Sequence, residues 1–292
     1  MTQKEFVNLI LHISHNDLDG VTCGALTKRF LKDVDNIFCN YNEIDPILEE
    51  VSLRKYDQIL ITDMSPSKRG INYVLGEIEV LVIDHHETSA WLKDVTATIH
   101  NIKKSATLLT YEWLRDMGKD VSDYEELANC VNDYDMWHLK REDSLQMNML
   151  FMKLGVQRYL ERFSKKSFST FTHDEQLIVE LETERRDKYI YAASKSCEVF
   201  KDTDGLEVFV VFAEEYNSEL GNYIIKELGA DYVVLINMQR KKVSLRSRAD
   251  VDVRRIAEMN GGGGHMNAAG FPLNFEFSTI DFLIEAGITH ES

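Results

Sequence analysis

The chain has little that would stiffen, staple or anchor it. Only three prolines occur in 292 residues, with no stretch of low complexity, so Pro-rich linkers and long disordered tracts are excluded and a folded globular protein is expected. Four cysteines, Cys23, Cys39, Cys130 and Cys197, lie far apart and form no Cys-x-x-Cys pair. That excludes a zinc knuckle and a disulfide framework and leaves buried thiols. Apolar runs reach strand length before Asp, Glu or Lys interrupts them, so no membrane span or membrane partner is expected. The opening MTQKEFVNLI has no charged leader followed by an apolar stretch and a cleavage site, and the expected location is cytoplasmic. Basic residues are scarce, 33 Lys and Arg against 49 Asp and Glu, for a net charge of -16. A broad grip on long duplex nucleic acid depends on phosphate neutralisation by Lys and Arg and is not expected. A basic, aromatic stripe for tracking long single strands is missing too.

What is present suits two α/β domains. At 292 residues and 44% hydrophobic, each half can bury its own core. In the first half short apolar runs alternate with helical spacing, which predicts a parallel sheet with strands over residues 6–13, 36–40, 58–62 and 80–83, and another near 96–101. Helical spacing fits 21–31, 47–53 and 105–117, the last ending at Gly118, with a further helix from Ser122 or Asp123 toward Trp137. Over 141–200 strands disappear and a long charged helix is expected from 172 to 197. Strands over 206–212, 232–237 and 242–248, with helices near 218–228 and 253–259, then predict a second, smaller α/β domain with a mixed sheet. The expected organisation is therefore a catalytic domain over 1–140, a helical connector over 141–200 and a second domain over 201–292.

Hard ligands collect at the ends of the first-half strands. His15-Asn16-Asp17-Leu18-Asp19-Gly20 follows the first strand, Asp63 follows Ile59-Leu60-Ile61-Thr62, and Asp84-His85-His86 follows Val80-Leu81-Val82-Ile83. Open α/β sheets place their ligands at this edge. In an extended stretch Asp17 and Asp19 share a face while Leu18 turns to the core. Two carboxylates held so close repel one another unless a cation sits between them. Carboxylates mixed with imidazoles suit Mn, Mg or Fe, and such ions with open water positions hydrolyse phosphate esters. Asp133, within Asn132-Asp133-Tyr134-Asp135, would close the set. Taken singly, Asp63 reads as a helix cap, His85 as an imidazole at the core edge, and Asp133 and Asp135 as solvated helix residues. Independent caps do not explain the joint occurrence, and two divalent cations would add four positive charges where an anionic substrate must approach.

In the second half, Gly261, Gly262, Gly263 and Gly264 precede His265 and Ala268-Ala269-Gly270. Consecutive glycines let backbone N–H groups approach an anion, although such a run alone is more often a flexible loop. On the preceding strand Arg246 and Arg248 share a face, as a phosphate fork requires, with Ser244 and Ser247 beside them. Asn217, Ser218 and Asn222 read as helix caps.

Together these motifs resemble the DHH phosphoesterase family with its attached DHHA1 domain, in particular its oligoribonuclease members. His15 to Gly20 resembles the first motif, Asp63 the second, Asp84-His85-His86 the third and Asp133 the fourth, while Gly261 to Gly264 with His265 resembles the glycine-rich motif of DHHA1. Many members carry a histidine four residues before the first aspartate, where this chain has Ile13, and here the histidine is His15, two before Asp17. The strand would point His12 away. The resemblance implies two manganese ions, or Mg or Co in their place. One would be held by His15, Asp17 and Asp63, the other by Asp19, Asp63, His85 and Asp133, with Asp63 bridging. It further implies that His86 contacts phosphoryl oxygens, that Asp84 orients a histidine, and that Arg246, Ser247, Gly262, Gly263, Gly264 and His265 hold the substrate in a second domain that closes over the centre. The implied activity is hydrolysis of short single-stranded oligoribonucleotides to mononucleotides. Alternatives are a phosphoadenosine phosphate phosphatase, a cyclic or linear dinucleotide phosphodiesterase, an inorganic pyrophosphatase, and a nucleotide-binding regulator without activity. A homodimer is compatible with all of these.

Overall fold

In a computed structural model that describes residues 9–51 and 55–273, the apolar runs of the first half become five strands. They are β1 (Ile10–His15), β2 (Val34–Cys39), β3 (Gln58–Thr62), β4 (Glu79–Asp84) and β5 (Ala97–His100). All pair in parallel in the order β2-β1-β3-β4-β5, with Ile10 opposite both Val34 and Gln58, Ile59 opposite Val80, and Leu81 opposite Ala97. Every carboxyl end therefore lies on one edge. The chain winds outward from β1 to β2 and then crosses to β3 on the other side, so the loops after β1 and β3 diverge and leave a crevice between them. Residues 6–8 of the expected first strand lie outside the described residues.

Helices cover both faces. Over one face lie α1 (Leu18–Phe30), α4 (Ala106–Asp116), α5 (Glu125–Asp135) and α6 (Glu142–Lys165), sharing a core that includes Leu26, Leu114, Leu127, Leu150 and Phe163. Residues 18–27 of α1 are all buried, because the sheet and the other helices enclose it. Full burial of each Leu, Val or Phe there contributes roughly 1.5–3 kcal/mol. Gly20 allows α1 to start against β1, since a Cβ at that position would lie 2.2 Å from the His15 carbonyl oxygen. On the opposite face α2 (Ile44–Glu50), α3 (Lys68–Asn72) and a 3-10 segment (Glu87–Asp94) enclose Ile13, Ile59, Ile61, Val82 and Leu92. The long α6 is broken at Gly155, whose φ of 70° no helix accommodates, and α7 (His173–Ser194) follows it.

The chain divides into two compact units, Met1–Thr183 and Glu184–Ser292, with the division inside α7. The second unit holds a six-stranded sheet in the order β10-β11-β9-β8-β7-β6, formed by β6 (Glu198–Lys201), β7 (Glu207–Phe212), β8 (Tyr232–Asn237), β9 (Lys242–Ser247), β10 (Gly263–His265) and β11 (Ala268–Pro272). Among the described residues only β7 and β8 pair in parallel there, which makes the sheet mixed. Among the described residues the helices α8 (Asn217–Leu228) and α9 (Arg254–Met259) accompany it. β6 escaped the sequence pattern because its four residues, Glu198-Val199-Phe200-Lys201, lie exposed on the sheet edge with no buried alternation to betray them. No helix among the described residues is long and apolar enough to cross a membrane.

Part of the glycine run is strand. Gly263 and Gly264 belong to β10, and a Cβ on Gly264 would lie 2.6 Å from the Ala268 carbonyl oxygen, while one on Gly262 would lie 2.1 Å from that of Gly270. At Gly262 and Gly264 the neighbouring backbone comes too close for a side chain, whereas a Cβ on Gly263 would meet nothing within 4 Å and Gly261 takes a φ of 77°.

Candidate metal centre

The carboxyl edge of the parallel sheet gathers His15, Asp17, Asp19, Asp63, Asp84, His85 and His86. Asp17 caps α1, accepting from the Gly20 amide at 3.1 Å. Asp19, in the first turn of α1, is turned toward the N-terminus of α4, where its two oxygens accept from the amides of Ala106 at 2.7 Å and Thr107 at 2.9 Å. Those amides are otherwise unpaired donors at the positive end of the helix, so they hold a carboxylate at low cost. Asp63 sits directly after β3 in the left-handed region, with φ of 57°, and its amide donates to the Ile83 carbonyl at 3.0 Å. That conformation costs roughly 1–2 kcal/mol for a residue with a side chain, and it turns the carboxyl group into the crevice.

Asp63 faces two groups of ligands, one with each oxygen. Its Oδ2 lies 3.8 Å from His15 Nδ1, which is itself 2.8 Å from Asp17 Oδ2. Its Oδ1 lies 3.3 Å from His85 Nε2, and around that nitrogen stand Asp135 Oδ2 at 3.5 Å and Asp19 Oδ2 at 3.9 Å. The sets His15-Asp17-Asp63 and Asp19-His85-Asp135 each bring one atom per residue within 4.8 Å of the others. Buried and without a hydrogen-bonding partner among the described residues are Asp63 Oδ2, His85 Nε2 and Asp135 Oδ2. Polar atoms are seldom left so unless something else satisfies them. Burial, reinforced by the Asp17, Asp19 and Asp135 charges, pushes the Asp63 carboxyl well above the usual carboxylate range, and burial with the Asp19, Asp17 and Asp84 charges does the same to Asp135. Burial pushes the His85 imidazole down. A divalent cation reverses each of these penalties at once, and the oxygen and imidazole donors fit hard or borderline ions.

Two residues play parts the sequence reading did not give them. Asp133, assigned to this centre from the sequence, has its carboxylate on the amides of Lys140 and Arg141, both at 3.1 Å, and on the Ser144 hydroxyl at 2.8 Å. Burial works upward on it, but these donors hold it below the usual carboxylate range. It ties the end of α5 to the start of α6, and Asp135 stands in the centre instead. Tyr41, after β2, was not singled out at all. Its hydroxyl is 3.1 Å from His86 Nε2, and its ring lies against His15 with centroids 4.5 Å apart.

The triplet divides its labour. His85 faces the ligand group, while His86 Nδ1 is 2.7 Å from Asp84 Oδ1. Burial works against the charged form of His86, yet the Asp84 carboxylate outweighs it and raises the imidazole. Asp84 is fully buried and also accepts from the His85 amide at 2.7 Å. Beneath the crevice, His12 points away from the ligands. It is buried between Asn36 Oδ1 at 2.7 Å and Thr62 Oγ1 at 2.8 Å, and Ser14 Oγ meets the same threonine oxygen at 2.7 Å.

In the second unit, Arg246 donates to Ser218 Oγ and to the Leu245 carbonyl, both at 2.9 Å. Its aliphatic stem lies over Gly221, where a Cβ would be 2.7 Å from Cγ. Arg248 has left β9 and pairs with Asp231 at 2.6 Å and Asp250 at 2.8 Å, so it does not join Arg246 in a fork. Ser247 donates to the Val251 carbonyl at 2.6 Å and accepts from the Asn267 amide at 3.0 Å, which commits it to holding the following turn. His265 is exposed on β10.

Residues 9–134 match the profile of the DHH family, N-terminal domain, and residues 200–278 that of the DHHA1 domain. The chain is 31% identical over 303 residues to oligoribonuclease NrnB of Bacillus subtilis (strain 168), covering 94% of this chain and 75% of that one. It is 22% identical over 346 residues to a 3′,5′-cyclic-nucleotide phosphodiesterase of Helicobacter pylori (strain ATCC 700392 / 26695), covering 94% and 97%. Its fold is similar to that of RecJ in complex with Mn2+ from Thermus thermophilus, with a TM-score of 0.58 at 18% identity over 96% of this chain and 51% of that one. With both domain profiles matched in order and the ligand-bearing strand ends inside the first, the chain belongs to the DHH family and carries a DHHA1 domain.

Proposed function

We propose that the chain is a metal-dependent phosphodiesterase that hydrolyses short oligoribonucleotides to mononucleotides. The observation that carries this reading is Asp63, whose two oxygens face two separate ligand groups. His15, Asp17 and Asp63 would hold one cation, and Asp19, Asp63, His85 and Asp135 a second. Divalent cations bound there supply Lewis acidity and a bound water acidic enough to deprotonate near neutral pH. We take manganese as the ion, which the carboxylate donors suit, with Mg or Co as substitutes. The chain's own residues do the rest. Asp84 accepts from His86 Nδ1 and favours the protonated ring, whose single Nε2–H, 3.1 Å from the Tyr41 hydroxyl, is then available to donate to a phosphoryl oxygen. The α4 amides hold Asp19 in one orientation, which keeps its ligand geometry set before substrate arrives. In the second unit Arg246 and His265 are the groups proposed to hold nucleotide phosphate.

The substrate class rests on charge and kinship. A net charge of -16 disfavours long duplex or single-stranded nucleic acid, whereas a short anionic diester needs attraction only at the cation-bearing crevice. The relative at 31% identity bears the name oligoribonuclease, and the more distant one that of a cyclic-nucleotide phosphodiesterase. The test incubates the protein with Mn2+ and, in parallel, a labelled diribonucleotide, phosphoadenosine phosphate, a cyclic dinucleotide and pyrophosphate. Mononucleotides released from the diribonucleotide at the highest kcat/KM support the reading. Faster turnover of another member of the panel moves the assignment to that substrate. Tight nucleotide binding with no turnover of any would sink the enzymatic reading.

A further inference from the structure

Tyr41 offers the crevice a feature that neither the ligand motifs nor the ligand groups require. It stands two residues after β2, at the same edge as the centre. Its turn is pinned by Glu43, whose carboxylate accepts from the Asn40 amide at 2.7 Å and side chain at 2.9 Å. One side of the ring packs on His15, at 4.5 Å between centroids and 32° between planes, and the ring meets His86 edge-on at 5.8 Å and 85°. The hydroxyl reaches His86 Nε2 at 3.1 Å. Despite these contacts 49% of the residue is exposed, so a large part of the ring is left to solvent beside the atoms that would hold the scissile phosphate. An aromatic ring held rigidly in such a place presents a π-face, and every nucleobase has a face to match it.

We infer that Tyr41 is a substrate-contact residue: its exposed ring stacks on the nucleobase next to the scissile phosphate while its hydroxyl steadies His86. This rests on the phosphodiesterase reading above and deepens it, because it explains how a strongly acidic protein recognises a short nucleotide without a basic stripe. A base contributes its stacking face whatever its identity, so the contact confers a preference for nucleotides over other phosphodiesters and little preference among bases.

The experiment measures kcat and KM with Mn2+ for a diribonucleotide and for two analogues with an abasic sugar on either side of the scissile phosphate. Wild type, Tyr41→Ala and Tyr41→Phe are compared. Tyr41→Ala is expected to raise KM for the intact dinucleotide on the order of tenfold, and to leave KM unchanged for the analogue lacking the stacked base. Tyr41→Phe keeps the ring and therefore the KM, and loses several-fold in kcat as His86 is freed. Equal KM increases on all three substrates, no KM change on any, or the same KM loss in Tyr41→Phe would overturn the inference. Loss of the Mn2+-induced rise in melting temperature in Tyr41→Ala would overturn it too, by assigning the residue to the metal centre. Calorimetric binding of the dinucleotide separates this inference from the reading beneath it. If wild type leaves the dinucleotide uncut but Tyr41→Ala still weakens binding, hydrolysis falls and the stacking contact stands. If wild type does not bind the dinucleotide, both fall.

Discussion

Replacing Asp135 and Asp133 in turn separates the two aspartates that lie two positions apart in α5. Asp135 Oδ2 stands 3.5 Å from His85 Nε2 in a crowd of carboxylates, and a carboxylate a few ångströms from a divalent cation exchanges several kcal/mol even at an effective dielectric constant of about 20. A 100-fold loss of Mn2+ affinity, about 2.7 kcal/mol, is then a conservative expectation for Asp135→Asn. With free Mn2+ at about 100 times the wild-type Kd, the ion stabilises wild type by about 2.7 kcal/mol and the variant by only about 0.4 kcal/mol. For a unit of this size 1 kcal/mol moves Tm by about 2–4 °C, so the Mn2+-induced rise should shrink by about 5–9 °C. Without metal, Asp135→Asn should melt no lower than wild type, since burial and neighbouring charges already make ionisation of Asp135 unfavourable. Asp133→Asn should do the reverse. It weakens three buried or half-buried hydrogen bonds, to the Lys140 and Arg141 amides and the Ser144 hydroxyl, at about 2–3 kcal/mol. The metal-free Tm should fall by about 5–10 °C while the Mn2+-induced rise stays intact. Thermal melts with and without Mn2+ decide the matter. If Asp133→Asn abolished the metal-induced rise and Asp135→Asn left it whole, the assignment of the centre would be refuted.

Three further substitutions test separate links. Asp84→Asn removes the charge that fixes His86 and should lower kcat about 10- to 100-fold, measured at saturating Mn2+ on the diribonucleotide; an unchanged kcat would remove His86 from the chemistry. Burial lowers the His12 imidazole to about 4, whereas in the unfolded chain it titrates near its ordinary 6.5. The stability that this linkage contributes is fully present above about pH 6.5 and is lost as pH falls toward 4, by about 3 kcal/mol in all. In metal-free urea titrations His12→Gln should therefore lose about 2 kcal/mol less stability than wild type between pH 7.5 and 4.5, and parallel curves would deny the buried neutral histidine. Gly264→Ala drives a Cβ to 2.6 Å from the Ala268 carbonyl oxygen at a φ of 139°, and should destabilise the second unit by at least about 2–4 kcal/mol; native-state hydrogen exchange that stays unchanged in β10 and β11 would contradict the close-packing account of the glycine run.

Much of the first unit is legible in the sequence because burial and chemistry there follow the same periodicity. β3 falls on the apolar run of residues 58–62, and Asp63 and Asp84 come where β3 and β4 end, so the sheet edge and its ligands announce one another. The choice between Asp133 and Asp135 is of another kind. Two positions in a helix differ by about 200° in direction, and which of them faces the crevice depends on how α5 is rolled against α1 and α6. That roll is set by Leu127, Ala128, Cys130 and Val131 in the shared core, contacts that no local pattern displays. Tyr41 was invisible for a related reason: it lies in a turn with no motif and acquires meaning only through the return of β4 beside β3. His12 shows the converse. A histidine within an apolar run is readable as buried, but its partners Asn36 and Thr62 come from both neighbouring strands. In the second unit the sequence suggested glycine amides approaching an anion, and the structure adds that Gly262 and Gly264 also lie against the backbone of β11, a pairing no local pattern displays.

The claim on which the rest depends is that the ligand groups on either side of Asp63 hold two metal ions. Crystals grown with Mn2+ and measured at the manganese absorption edge test it directly. The expected result is two anomalous peaks about 3.5–4 Å apart, with Asp63 coordinating both, His15 and Asp17 on one, and Asp19, His85 and Asp135 on the other. A single peak, or peaks that leave Asp63 and Asp135 uncoordinated, would contradict it.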